Sequence, residues 1–268
     1  LRQDGAGRFF RSNYDRGLLL YALVAAYRPR VILEFGTGRG YGSLCMARAL
    51  VDKGIDGQIY SIDLIGPDEK QVWWIDYGDG PKTEQLSCRE IWESRCPPAW
   101  IDRIHSMKGL SSHVMRDWKS QGLPPVELGY VDGGHDYSTV KHDFYSLMNV
   151  VAPSFRIVFD DYTANFGKYN YLQVQSIGGE SIRRETQVGV CKLVDQEILP
   201  VFDAELIWSD QTVSVDDQGS ANACGNGMVL IESNRTRLAW REAFPSVELK
   251  SYVTRYRRVR FLQRVLAS

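Results

Sequence analysis

The chain has 268 residues and a formal net charge of −1, with 44% hydrophobic and 24% charged residues. This composition is that of a globular chain with a sizeable buried core, and it excludes a wholly disordered protein. The balance of 32 Lys and Arg against 33 Asp and Glu also argues against a nucleic-acid binder, which would carry a basic surplus.

Helix-like and strand-like segments alternate along the first two-thirds of the chain. Apolar residues recur at helical spacing in the former, whereas the latter are short apolar runs. This alternation is typical of a parallel sheet covered by helices on both faces. The predicted elements, in chain order, are a helix over 13–27, a strand over 31–35, a helix over 43–52, strands over 58–63, 103–108 and 126–132, a helix over 138–151 and a strand over 156–160.

The pattern changes after Gly189. Two strand-like runs, 204–208 and 227–232, are joined by a polar stretch that contains glycine. They predict an antiparallel pair at the edge of the sheet. Together the elements predict an α/β fold with a doubly wound, mostly parallel sheet, in a single domain over 1–268 that begins with a helix within 1–30.

Two segments fall outside this alternation. Residues 66–100 form a long connection with four of the seven Trp residues. This connection is either a lid over an acceptor or an insertion anchored to the core. Residues 252–268 interleave five Arg with apolar residues, which predicts a basic C-terminal helix. That helix could face solvent, an anionic membrane, a phosphate-bearing glycan or a second copy of the chain in a homo-oligomer.

The five Cys residues are scattered and lack the Cys or His spacing of a zinc site. They predict reduced thiols, as expected for a cytoplasmic protein. No apolar run approaches the roughly 20 residues of a transmembrane helix, and the first residues do not show the pattern of a signal peptide.

A glycine-rich loop, residues 36–42, joins the first predicted strand to the following helix. Glycines at such a junction let backbone amides and a helix N-terminus approach an anionic group. The dinucleotide fingerprint needs Gly or Ala three positions after its second glycine. Counted from Gly36 and Gly38 that position is Tyr41, so the dinucleotide fingerprint fails there. Counted from Gly38 and Gly40 it is Ser43, which is a near miss. No Gly-Lys-Ser/Thr follows, so the loop is not a P-loop either.

Two acidic residues accompany this loop and point to a zwitterionic ligand. Glu34 lies two residues before the first glycine, where it can face an ammonium while the loop amides face a carboxylate. Asp63 ends the second predicted strand, where an acid can accept hydrogen bonds from a ribose diol. A ligand that combines an amino acid with a ribose is S-adenosylmethionine. A tight strand-to-helix turn without a ligand is the alternative.

The loop and Asp63 resemble the class I S-adenosylmethionine-dependent methyltransferases, and the resemblance runs from about residue 31 to residue 232. It implies a Rossmann-like, seven-stranded sheet whose last strand is antiparallel. It also implies an adenine contact just after the third predicted strand. The cofactor-binding residues that follow from it are Glu34, Gly36, Thr37, Gly38, Ser43, Asp63 and Ser111.

Three further carboxylates lie at the ends of two neighbouring predicted strands: Asp132 ends one, Asp160 ends the next, and Asp161 follows Asp160. Because the carboxyl ends of parallel strands share a rim, we expect them to converge beside the cofactor's methyl group. Three ionised carboxylates need a cation, and oxygen ligands of this kind suit magnesium, manganese or calcium. The alternative is that they cap a turn and a helix.

Residues 132–137 with Asp160 and Asp161 resemble the signature of metal-dependent O-methyltransferases, within them the macrocin-type sugar O-methyltransferases and cephalosporin hydroxylase-like proteins. The resemblance implies that Asp132, Asp160 and Asp161 bind a divalent metal, expected to be Mg²⁺. It also places a general base at His135. Some sugar-modifying relatives carry an acid where this chain has Gly134, and Asp136 is the next candidate for the base.

The sequence thus predicts a metal-assisted, S-adenosylmethionine-dependent O-methyltransferase whose acceptor is a small molecule, namely a sugar or glycoside. The metal would lower the pKa of the acceptor hydroxyl and His135 would take its proton. Two alternatives stay open. One is a noncatalytic cofactor-binding or scaffold protein with the same fold, and the other, disfavoured by Glu34 and Tyr41, is an NAD-linked oxidoreductase.

Overall fold

The computed structural model describes residues 2–3, 9–10, 14–76, 80–134, 136–162, 173–177, 180–184, 188–215 and 221–244. His135 and the predicted C-terminal helix over 252–268 lie outside these residues.

Helices and strands alternate along the described chain. In order they are β1 (Arg2–Gln3), β2 (Phe9–Phe10), α1 (Tyr14–Tyr27), β3 (Val31–Phe35), α2 (Tyr41–Asp52), β4 (Gln58–Asp63), β5 (Gln71–Asp76), β6 (Pro81–Leu86), α3 (Cys88–Arg95), α4 (Pro98–Ile101), β7 (Ile104–Lys108), α5 (Ser111–Asp117), β8 (Val126–Val131), α6 (Tyr137–Met148), β9 (Val151–Tyr162), β10 (Gln173–Ile177), β11 (Glu180–Arg184), α7 (Val188–Leu193), a π-helical turn (Val194–Ile198), β12 (Glu205–Val215), β13 (Ala221–Glu232) and α8 (Trp240–Ala243).

The central sheet has seven strands in the order β12-β13-β9-β8-β3-β4-β7. Strands β9, β8, β3, β4 and β7 are parallel, whereas β13 runs antiparallel to both of its neighbours, β9 and β12. The predicted mostly parallel, seven-stranded sheet with an antiparallel last strand is therefore confirmed. Because the five parallel strands point the same way, their carboxyl ends form a single rim.

Two boundaries differ from the predictions for physical reasons. The β12–β13 pair continues to Val215 and Ala221, well beyond the predicted apolar runs, because backbone ladder hydrogen bonds do not require apolar side chains. Helix α6 ends at Met148, and Val151 instead begins β9 by pairing with Val126 of β8. Val151 thus belongs to the next strand and not to the helix.

Alternation along the strands decides which side chains face the site. In β3, Leu33 and Phe35 pack in the core beneath α6 and α7, whereas Ile32 packs against α1 and α2. Glu34 has the parity of Ile32, so its side chain lies on the α1 and α2 side of the sheet. The same parity places three polar side chains near the ends of the neighbouring strands on that side, namely Ser61, Tyr130 and Asp160.

The described residues of the segment over 66–100 form an insertion with the β5–β6 hairpin and helices α3 and α4. Ser87 caps α3: its hydroxyl accepts the Glu90 N–H at 3.1 Å, and the Glu90 carboxylate accepts the Ser87 N–H at 2.7 Å. Trp73 and Trp92 are buried in a small core of the insertion. The hairpin escaped sequence reasoning because β6 is polar and lacks an alternating pattern.

Within the described ranges, no helix is both long enough and apolar enough to cross a membrane.

Candidate active site

A crevice of about 430 Å³ opens at the carboxyl ends of the parallel strands. Its walls come from the glycine loop, the ends of β4 and β8, the start of α5 and one side of α1. Open α/β sheets bind ligands at this position, outside the carboxyl ends of the strands. Of the predicted site residues, the lining includes Glu34, Gly36, Thr37, Gly38, Asp63, Ser111 and Asp132.

At Gly36 and Gly40 the glycine loop is packed too closely for a side chain. Gly36 has φ 87°, and a Cβ there would lie 2.2 Å from the Asp132 carbonyl oxygen. Gly40 has φ 80°, and a Cβ there would lie 2.1 Å from the Trp92 ring. Both are left-handed conformations that glycine adopts readily. The loop is therefore fixed from both sides, by the end of β8 and by the insertion.

Glu34 is buried beneath this loop with only 1% of its surface exposed. Its Oε2 accepts hydrogen bonds from the hydroxyls of Ser43, on α2, and Ser61, on β4. The Thr37 and Ser61 hydroxyls lie 2.6 Å apart, which extends the network into the loop. Burial raises the pKa of Glu34 from 4.5 to about 7, although the two hydroxyl donors oppose this shift.

Asp63 joins the end of β4 to the loop. Its Oδ2 accepts the Gly38 N–H at 2.8 Å, and its Oδ1 accepts the Ile65 N–H at 2.9 Å. The carboxylate thus holds Gly38 in place at the mouth of the crevice. Each oxygen retains a second lone pair with which it can accept a further donor.

Ser111 begins α5 and donates its hydroxyl hydrogen to Asp143 Oδ1 at 2.5 Å. Asp143 lines the crevice although it is only 2% exposed, and burial raises its pKa, against hydrogen bonds from His142 and Ser111. Sequence reasoning missed this residue. A signal was present, since Asp143 lies three residues after Val140 and four before Leu147 on the apolar face of the predicted helix.

Two further side chains link the three rim carboxylates. Tyr130 links two of them, with its hydroxyl 3.0 Å from Asp132 Oδ2 and 2.5 Å from Asp160 Oδ2. Arg16 of α1 links the other pair, with Nη2 2.9 Å from Asp160 Oδ1 and 3.0 Å from Asp161 Oδ1. Neither Tyr130 nor Arg16 was predicted as a site residue.

Desolvation dominates the electrostatics of this cluster. Burial raises the pKa of Asp132 well above its usual range, and the neighbouring charges of Asp160 and Asp161 add to the effect. Burial also raises the pKa of Asp160 to about 6, although Arg16 acts in the opposite direction. The Arg16 guanidinium is therefore the positive charge that offsets the negative charges of these carboxylates.

As folded, the rim does not fit the divalent metal predicted on Asp132, Asp160 and Asp161. Both Asp160 oxygens are engaged, because Oδ1 receives Arg16 and the Asp161 N–H and Oδ2 receives Tyr130. A divalent ion needs several oxygens open toward a common point. Among the described residues, no group of three or more His, Cys, Asp or Glu side chains is arranged to hold a metal ion.

Comparison with known families identifies the region that carries this site. Residues 33–162 match the family described as "Methyltransferase domain". The match runs from β3 to the end of β9, and so contains the glycine loop, Asp63 and the three rim aspartates. These residues, just under half of the chain, are similar to that family.

Solved structures show the same fold. The chain is similar to the O-methyltransferase from Bacillus cereus in complex with SAH, at 16% identity and a TM-score of 0.51, over 83% of this chain and 82% of that one. It is also similar to TomG from Streptomyces achromogenes, an O-methyltransferase involved in tomaymycin synthesis that was solved with SAM, at 21% identity and a TM-score of 0.50, over 82% and 81% of the two chains. The predicted Rossmann-like fold is thus confirmed.

One curated relative is the uncharacterized protein y4gI of Sinorhizobium fredii (strain NBRC 101917 / NGR234), which is 24% identical over 152 residues. The match covers 56% of this chain and 15% of that protein, so the chain corresponds to a small part of its relative.

Asp136, the alternative candidate for the general base, caps α6. Its carboxylate accepts the Thr139 N–H at 3.1 Å and the Thr139 hydroxyl at 2.5 Å. Although desolvation opposes it, the hydrogen bonds from Ser138 and Thr139 lower the pKa of Asp136. A carboxylate held in this way is a weak proton acceptor at neutral pH, which disfavours Asp136 as the base.

The insertion packs against the glycine loop. Trp92 donates its Nε1–H to the Arg39 carbonyl at 3.2 Å, and the Arg39 guanidinium lies 4.8 Å from the centre of the Trp73 ring. The Cys88 thiol lies 3.5 Å from the Gly38 carbonyl oxygen. Trp73 and Trp92 therefore anchor the insertion and support the loop.

Proposed function

We propose that this chain is an S-adenosylmethionine-dependent O-methyltransferase that methylates a hydroxyl of a small molecule, specifically a sugar or glycoside. The observation that carries the proposal is the crevice in which the glycine loop, Glu34 and Asp63 adjoin the acidic rim of Asp132. The first group suits a zwitterionic nucleoside, and the second suits a hydroxyl-bearing acceptor.

On the cofactor side, each part of the ligand has a matching group. Amides of the glycine loop can bind the methionyl carboxylate, and Glu34, whose charged form is disfavoured by burial, gains a partner in the methionyl ammonium. Asp63 can accept the ribose diol with its remaining lone pairs. Ser111 also lines the crevice, and its hydroxyl oxygen can accept a hydrogen bond from adenine.

On the acceptor side, methyl transfer proceeds by direct displacement. The acceptor oxygen forms a bond to the methyl carbon as the carbon–sulfur bond breaks, and alignment of the three atoms supplies much of the rate. The acceptor hydroxyl must lose its proton, and His135 is the proposed general base. Because Arg16 already offsets Asp160 and Asp161, the proposed reaction contains no metal-bound step.

Calorimetry with S-adenosylhomocysteine tests the cofactor site. Glu34→Gln and Asp63→Ala should each weaken binding by about 1.5 to 3 kcal/mol, as expected for loss of a charged hydrogen bond. Exposed residues provide the matched controls Glu242→Gln and Asp56→Ala, which should bind as the parent does. Unchanged affinity in both site variants would remove the cofactor assignment.

A panel of glycosides and phenols with methyl-labelled cofactor tests the reaction. His135→Ala should lower turnover by about 10² to 10⁴ with cofactor binding retained, and the residual rate should rise with pH as hydroxide replaces the base. Wild-type turnover in this variant would place the base elsewhere. Cofactor binding without methylation of any acceptor would favour the noncatalytic alternative.

A further inference from the structure

Arg16 reaches the acidic rim from outside the matched domain of residues 33–162. Its Nη2 lies 2.9 Å from Asp160 and 3.0 Å from Asp161. The Arg16 side chain is 18% exposed and that of Asp160 is 0% exposed. This is a buried contact, in which the charges are little screened by solvent.

Close packing of α1 on α2 places Arg16 over the rim. Gly17 makes this approach possible, because a Cβ there would lie 2.4 Å from the Tyr41 hydroxyl oxygen and 2.6 Å from Cys45 Sγ. The Tyr41 hydroxyl also donates to the Tyr14 carbonyl at 3.2 Å. The guanidinium is therefore delivered by a packed helix, and its position does not depend on a loop.

The guanidinium takes the place that a divalent ion would occupy. A metal bound by Asp160 and Asp161 would need the oxygens that Arg16 contacts, namely Oδ1 of each carboxylate. The remaining Asp160 oxygen is held by Tyr130, which also reaches Asp132. An arginine guanidinium pairs well with carboxylates and stays charged at any physiological pH.

We propose that Arg16 is the resident cation of this rim and that it excludes a divalent metal from Asp132, Asp160 and Asp161. Arg16 acts as a positioning residue: by holding Asp160 and Asp161, it fixes the Tyr130 hydroxyl between Asp160 and Asp132 at the crevice. The inference concerns metal binding and does not rest on the proposed methyl transfer.

Titration with Mn²⁺, followed by electron paramagnetic resonance of the free ion, tests this inference without cofactor or acceptor. The wild-type protein should show no saturable Mn²⁺ site. Arg16→Gln should gain one site per chain, because the freed carboxylates attract the ion. Adding Asp160→Asn to that variant should abolish the new site, and Arg48→Gln, which alters an exposed arginine on α2, should behave as the wild type does.

Two results would overturn the inference. One is a stoichiometric Mn²⁺ site in the wild-type protein that Asp160→Asn removes, and this measurement decides even where Arg16→Gln does not fold. The other is a folded Arg16→Gln protein, with a native circular dichroism spectrum, that still binds no Mn²⁺. In that case the exclusion of metal would not come from Arg16.

Discussion

Two buried carboxylates at the strand ends, Glu34 beneath the glycine loop and Asp160 on the acidic rim, are equally exposed but are compensated differently. Glu34 and Asp160 are each 1% exposed. Glu34 is held by two neutral hydroxyl donors, whereas Asp160 is held by a guanidinium and a phenol. Neutral donors leave Glu34 able to change its charge near pH 7 and to gain from a cationic ligand, while Asp160 already has a cation beside it.

The largest expected effect comes from removing that cation. Arg16→Gln should lower the free energy of unfolding by about 3 to 4 kcal/mol, because it leaves buried carboxylates without their counter-charge. Urea unfolding near neutral pH measures the loss. Arg48→Gln, at an arginine whose side chain is 57% exposed, should change the stability by less than about 0.5 kcal/mol. Equal, small losses in the two variants would mean that Arg16 does not offset the rim charge.

The second expected effect is a pH dependence of the free energy of unfolding, caused by Glu34. Since its pKa is raised from 4.5 to about 7 on folding, the folded protein binds more protons than the unfolded chain between these values. The stability contributed by the protonated form is fully present below the unfolded pKa and is lost as pH rises through the folded pKa.

Urea unfolding at about pH 5 and about pH 8 should show that the wild type loses about 2 to 3 kcal/mol more than Glu34→Gln does. Glutamine serves as the control because it keeps the size of the side chain but has no proton to lose. Identical pH profiles for the two proteins would contradict the shifted pKa of Glu34.

The smallest expected effect tests the hydroxyl donors. Ser61→Ala should cost about 1 to 2 kcal/mol of unfolding free energy above pH 7, where Glu34 is ionised, and less at low pH, because hydrogen bonds to charged groups are stronger. The exposed Ser94, whose hydroxyl donates only to the Ile91 carbonyl of its own helix, supplies Ser94→Ala as the control. A cost that is the same at both pH values would argue that Ser61 does not stabilise the charged form.

The site residues that lie at strand ends could be predicted from the sequence alone. Apolar runs locate β3, β4, β8 and β9, so the residues just beyond them, among them Asp63, Asp132 and Asp160, can be assigned to one rim from their order along the chain. The glycine loop was equally accessible, because glycine spacing between a strand and a helix is a local pattern. Their proposed ligand roles stay predictions.

Tertiary packing decided how those acids are compensated. Arg16 and Asp161 are 145 positions apart in sequence, and only the docking of α1 on α2 through Gly17 brings them together. Tyr130 carries no local sign of its role, since an aromatic residue is ordinary within a buried strand, and its contacts to Asp132 and Asp160 arise from strand parity. Charge balance in a folded protein depends on which groups meet in space, and a single sequence records only their order along the chain.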